Sequence, residues 1–160
     1  MNCELAWRVL SDTEHACQWL ENEDEPVRRR ILWHSAISML CTISDVLDRD
    51  GDKNVRRAVQ SARIRWKSEQ STSFNVFYDF IRVERNRLSH EALHGHADDM
   101  PIVLVAVTQD YVEDLSNTDD SDVFWPIEHG PFEGLDARDA LAKSIQWWKD
   151  ELRRMGVRRP

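Results

Sequence analysis

Through residue 94 the chain holds one proline, Pro26, and one glycine, Gly51, while its apolar residues return every three or four positions. That spacing gathers them on one side of an α-helix, and a run with so few breakers leaves little but helices to build with. Ala6, Val9, Leu10, Ala16, Cys17 and Leu20 predict a first helix over about 3–20. The acidic turn 21–25 ends it, and Pro26 suits the first turn of the next helix, where its missing N–H is no loss. Leu32, Trp33, Ala36, Ile37, Met39, Leu40, Ile43, Val46 and Leu47 cover a broad arc of that second helix, which reaches about Asp48. A helix apolar over so wide an arc belongs at the centre of a bundle. His34, within it, reads as a core or edge histidine.

Asp50-Gly51-Asp52 supplies the next turn. Val55, Ala58, Val59, Ala62 and Trp66 then form the apolar face of a strongly basic third helix. Ser71-Thr72-Ser73 are good N-cap residues and predict a fourth helix from there to about Glu91, with Gly95 and Pro101 bracketing its exit. The stretch 102–107 is β-branched enough for a strand, but Leu104, Val107, Tyr111 and Leu115 stand at helical spacing, and a helix is favoured. Residues 116–134 read as an irregular acidic loop pinned by Phe124-Trp125-Pro126. Asp136 caps a last helix with Leu141, Ser144, Ile145, Trp148, Leu152 and Met155 in one stripe, Arg153 and Arg154 at its negative end and Gly156 as its stop. The expected fold is all-α: one domain over 1–160, an antiparallel bundle of about five to six helices with an acidic loop before the last. Phe124-Trp125 and Trp147-Trp148 fit either a core or an interface.

Charge and cysteines narrow the function classes. A net charge of −8 argues against a protein that coats nucleic acid non-specifically. The charge is uneven, though: Arg28, Arg29, Arg30, Lys53, Arg56, Arg57, Arg63, Arg65 and Lys67 lie in the first half, and 98–139 is almost wholly acidic. A basic and an acidic face can therefore coexist. The uncharged stretch 31–44 is too short and too polar to span a bilayer, so no membrane partner is expected. Nothing at Met1-Asn2-Cys3-Glu4 resembles a secretory signal, which makes the cytoplasm the default compartment. Cys3, Cys17 and Cys41 include no Cys-x-x-Cys pair and read as reduced, packed thiols. No cofactor is expected.

The fourth helix carries the chemistry. At about 100° per residue, Phe74, Phe77, Tyr78, Ile81 and Leu88 share a face, and Arg85 falls within it, where a charge needs a partner or a route to the edge. Val76, Phe80 and Val83 form a second apolar patch opposite. Asn75, Asp79, Arg82, Asn86 and Ser89 make a polar strip between them, bordered by His90. A helix with two apolar faces is expected to pack on its own bundle and on a second copy of the chain.

Arg85-Asn86-Arg87-Leu88-Ser89-His90 has the form Arg, polar residue, three residues, His. It resembles the signature motif of the HEPN superfamily (higher eukaryotes and prokaryotes nucleotide-binding domains), on a late helix of an all-helical chain of suitable length. The resemblance implies a helical bundle that dimerises through the motif helix and, in active members, cleaves RNA without a metal. It implies His90 as general acid/base and Arg85 as the group that stabilises the phosphate, the two being the catalytic pair. Asn86 orients the histidine or the phosphate, and Arg82 and Ser89 position the substrate. A toxin or phage-defence setting, with an antitoxin or other partner protein, is implied as well. Histidine titrates nearest neutrality and arginine offers phosphate a fixed fork of donors, so the chemistry is coherent. Positions five apart on an ideal helix differ by about 140° and about 7.5 Å; arginine's reach, fraying near Glu91 or a composite dimer site must bring the pair together. Toxins of the superfamily that pair with a nucleotidyltransferase often carry a tyrosine two residues after the histidine, where this chain has Ala92.

Three other readings compete. His90-Glu91-Ala92-Leu93-His94 spells the zinc-hydrolase pattern, with His90 and His94 as ligands, Glu91 as base and His96 or Glu113 as a third ligand. Against it stand the polar residues before His90, Gly95 directly after His94, and Ala97 and Met100 where a longer zinc motif has Gly and His. The fold and dimer can also serve a non-catalytic interaction module. Arg85 can simply pair with Asp79 or Glu84, with His90 a helix-end histidine.

Overall fold

The computed structural model describes residues 2–94, 125–127 and 130–160, with the backbone alone at 90–94. Five α-helices stand among these residues: α1 Glu4–Glu21, α2 Pro26–Arg49, α3 Lys53–Gln70, α4 Arg82–His94 and α5 Ala137–Arg154. A π-helical segment, Val76–Ile81, leads directly into α4. The described residues otherwise hold two isolated β-bridges, Asn2 with Arg158 and Pro126 with Asp136. None of the described helices is long and apolar enough to cross a membrane. The predicted segment 102–107 and Phe124 lie outside the described residues.

Acidic side chains start three of the helices. Glu25 accepts from Val27 N and Arg28 N at 2.9 and 2.8 Å ahead of Pro26. Asp52 accepts from Asn54 N and Val55 N at 2.7 and 2.9 Å, and Asp136 from Arg138 N at 2.8 Å. Each satisfies N–H groups that the first helical turn leaves unpaired. Gly51 has a packing reason: a Cβ there would stand 2.4 Å from both Leu47 O and Val55 Cγ1, so any side chain would push α2 and α3 apart. Gly156, at φ 71°, closes α5: its N–H reaches Arg153 O, and Val157 N–H reaches Leu152 O, both at 2.9 Å. This is the paired-bond stop that a left-handed glycine permits.

α2 is central, as its broad apolar arc predicts. It packs against α1, α3, α4, α5 and the π segment, and Trp33, Ala36, Ile37, Leu40, Ile43 and Leu47 are fully buried. One core runs through all five helices. Aromatic rings fill its centre: Trp66 lies 5.2, 5.1 and 5.6 Å from Phe77, Trp147 and Trp148. Trp148 is therefore core, with half-buried Trp147 packed beside it. Trp125 pins its short segment against Trp33 at 5.2 Å, and Phe132 sits 4.8 Å from Phe80. His34 is half-buried at the edge of α2, and Cys3, Cys17 and Cys41 are free thiols.

Two expectations need correction. Ser71-Thr72-Ser73 do not start the fourth helix. Their N–H groups return to Ser68 O and Glu69 O and their hydroxyls donate to carbonyls of residues 67–69, so they finish α3. A hydroxyl serves a helix end of either kind. The N-cap is instead Asn75, extended at φ −118° and ψ 120°, whose Oδ1 accepts from Phe77 N and Tyr78 N. The second correction concerns the two apolar faces. Phe80, assigned to the outer patch, is buried with Phe77 and Ile81, and half-buried Val76 packs on the same core. The wider π turn, marked by Arg82 N–H reaching Phe77 O, carries all three large side chains into the protein's own interior. Of the outer patch, Val83 alone stands exposed, at 56%.

Candidate functional site

α4 is held by one buried edge. Leu88 is buried, and Glu84 accepts a 3.0 Å hydrogen bond from Trp33 Nε1 on α2. Arg87 closes on the same carboxylate, Nε to Oε2 at 2.9 Å. An indole N–H removed from water needs an acceptor, and the charged partner makes this a strong bond. Glu84 thus fixes the rotation of α4 against α2, with Arg82, Arg85, Asn86 and Ser89 facing outward.

Those residues are the sequence candidates. Arg82, Arg85, Asn86 and Ser89 are all exposed. Their spacing of three, four and seven places them along one stripe of the helix. Arg85 Nη1 donates to Asn86 Oδ1 at 3.1 Å, Ser89 Oγ donates to Arg85 O at 2.9 Å, and the Arg82 guanidinium lies 5.3 Å from the Tyr78 ring centre. The stripe borders α2 at half-buried Cys41. Burial pushes the Cys41 thiol up, with Asp45 in the same direction, while Arg85 and Arg82 pull it down. Both arginines therefore bring positive charge beside Cys41.

Arg85 does not sit in the apolar arc where the wheel places it. It is exposed, because the buried edge of α4 runs through Ile81, Glu84 and Leu88. Nor does it pair with Asp79 or Glu84. Asp79 is engaged by Gln70 and by Asn75 N, and Glu84 by Trp33 and Arg87. Among the described residues neither Arg82 nor Arg85 has a carboxylate partner. Asn75 and Asp79 leave the predicted polar strip, since buried Asn75 caps the π segment and Asp79 braces it. Their role is to hold α4 in place.

The backbone is helical through His90 to His94, so the helix does not fray at Glu91. The side chains of His90, Glu91 and His94, and all of His96 and Glu113, lie outside the described residues. Sequence reasoning missed the bond between Trp33 and Glu84. They are 51 positions apart, and no local pattern announces an indole on one helix meeting a carboxylate on another. The basic run of α3 is partly internal as well: Arg63 bonds Asp48 at 3.1 Å and Ser44 Oγ at 2.8 Å, and Arg65 engages Glu151 and Glu69. No family model, no curated protein and no solved structure matches this chain.

Proposed function

We propose that the protein is a metal-independent endoribonuclease of HEPN type, working as a homodimer with Arg85 and His90 at a composite cleft. The observation that carries the reading is the exposed stripe Arg82, Arg85, Asn86 and Ser89, on which both arginines lack a carboxylate partner among the described residues. An arginine without an internal counter-charge keeps its fork of donors for an incoming phosphate. In this reading His90 takes the proton of the RNA 2′-hydroxyl as its oxygen attacks the adjacent phosphorus. The 5′-oxygen leaves and collects a proton, and a 2′,3′-cyclic phosphate remains. Arg85 meets the charge that grows on the phosphate oxygens, Asn86 holds the Arg85 guanidinium in line, and Arg82 and Ser89 bind the flanking backbone. Because the α4 backbone is helical through His90, Arg85 of one protomer and His90 of the other complete each centre. Val83, apolar and exposed on α4, is the contact offered to the second copy. A toxin or phage-defence role in the cytoplasm, under a partner protein's control, fits such an activity.

Purified protein incubated with structured and single-stranded RNA in EDTA tests the reading. Cleavage is expected to persist in EDTA, to leave cyclic phosphate ends, and to fall at least a hundredfold in His90→Ala and in Arg85→Ala without loss of helicity. A folded dimer that cleaves none of a broad RNA panel would sink the nuclease and favour an interaction module. Stoichiometric zinc with EDTA-sensitive hydrolysis would transfer His90, Glu91 and His94 to the metal reading.

A further inference from the structure

α1, the end of α5 and the C-terminal turn line a cleft of about 480 Å³ that no residue of α4 lines. That volume lies within the range of small-molecule sites. Lys149, Arg153, Arg158 and Arg159 line it, against a single carboxylate, Glu14. This is a local excess of positive charge in a chain whose net charge is −8. Glu14 is already engaged by Lys149 at 2.5 Å, and Arg153 is paired at 2.9 Å with Asp150. Arg158 and Arg159 have no carboxylate partner among the described residues.

The two free arginines are seated by backbone. The Gly156 stop and buried Val157 fix the turn before them, and Arg158 forms a bridge with Asn2. The Gly156 and Val157 N–H groups are consumed by that stop, so an anion here is held by side chains. The Arg159 guanidinium lies 5.8 Å from the centre of the Trp7 ring in the cleft wall, and the Trp7 indole N–H is buried without an acceptor. Cations and the Ser11 hydroxyl make the lining rich in donors. The acidic balance of the whole chain opposes a long polyanion, whereas a local cleft lined by cations suits a compact one.

We infer that this cleft binds a small phosphate-bearing anion, with Arg158 and Arg159 as the forks on the phosphate. Lys149 and Arg153 supply charge at the rim. Swinging onto the phosphate lifts Arg159 off the Trp7 ring. The site stands apart from the α4 stripe and does not depend on the nuclease reading.

Titration calorimetry of the full chain at low ionic strength, with inorganic phosphate, AMP, adenosine and a single-stranded RNA decamer, tests it. Phosphate and AMP are expected to saturate at one per chain, and adenosine to give no heat. The double variant Arg158→Ala/Arg159→Ala should weaken binding at least tenfold while its thermal unfolding stays unchanged, since both side chains are exposed. Ser11→Asp, which places a carboxylate in the cleft, should weaken it as well. AMP binding tighter than phosphate identifies an organic phosphate as the source, and equal affinities identify free phosphate. Absence of saturable binding by both, undiminished binding in the double variant, or binding of the RNA alone overturns the assignment.

Discussion

Glu151, on α5 and 2% exposed, gathers donors from two helices. Trp66 Nε1 reaches it at 2.8 Å, Arg154 Nη1 at 3.0 Å, and Arg65 joins from the half-exposed side of α3. Glu151→Ala strands the Trp66 N–H in the aromatic core, which costs about 1–3 kcal/mol. Arg65 keeps water access and adds little. A lower urea midpoint for Glu151→Ala, and a smaller drop for Glu151→Gln, is the expected result. Asp136 gives the fold an acid dependence. Burial pushes its carboxyl up, but the Arg138 side chain and the N–H groups of Trp125 and Arg138 outweigh that and leave it below the ordinary aspartate value. A depressed folded value means the stabilisation is complete above the unfolded aspartate pKa, about 4, and is lost as pH falls through the folded one. Asp136→Asn should lower the urea midpoint at pH 7 and flatten the loss of stability between pH 5 and 3. An unchanged slope would remove Asp136 from the account. At this scale the motif resemblance singled out Arg85 and Asn86, and local sequence named Asp136 as a cap. It could not name the acceptors of Trp33 and Trp66, because Glu84 and Glu151 meet them from distant helices.

The π segment and α4 act as one element with two registers. A regular wheel puts Phe80 with Val83 on an outer patch. The observed turn instead sets Phe80 against Phe132 and, at 6.4 Å, Trp33. Phe80→Ala therefore removes core and should cost about 3–5 kcal/mol, read from chemical denaturation. Val83, exposed, should tolerate Val83→Asp with the fold intact. If a second copy covers it, as the proposed dimer requires, sedimentation equilibrium will show Val83→Asp as a monomer where the parent is a dimer. An unchanged mass would move the dimer interface elsewhere. The extent of α1, α2, α3 and α5 was legible in the sequence to within a few residues, because one stripe of apolar residues and one cap suffice to define such helices. The start of α4 was not. Ser71, Thr72, Ser73 and Asn75 are all competent caps, and local chemistry does not choose among them.

For the molecule as a whole, one core cluster links all five helices through central α2. Helicity and tryptophan fluorescence should accordingly be lost in a single shared transition in urea; separated midpoints would divide the chain into independently unfolding parts. The acidic total masks a more local pattern. The basic residues of α3 are partly spent on Asp48, Glu69 and Glu151, while the α4 stripe and the C-terminal cleft keep arginines without carboxylate partners among the described residues. By itself the sequence determined the helical class and the central position of α2. Those follow from periodicity and arc width, both properties of single helices. Tertiary structure alone decided which way α4 is turned. The Trp33–Glu84 bond and the π turn at Phe80 take Arg85 out of the apolar arc and leave it on the surface, because a helix's rotation is set by what it packs against.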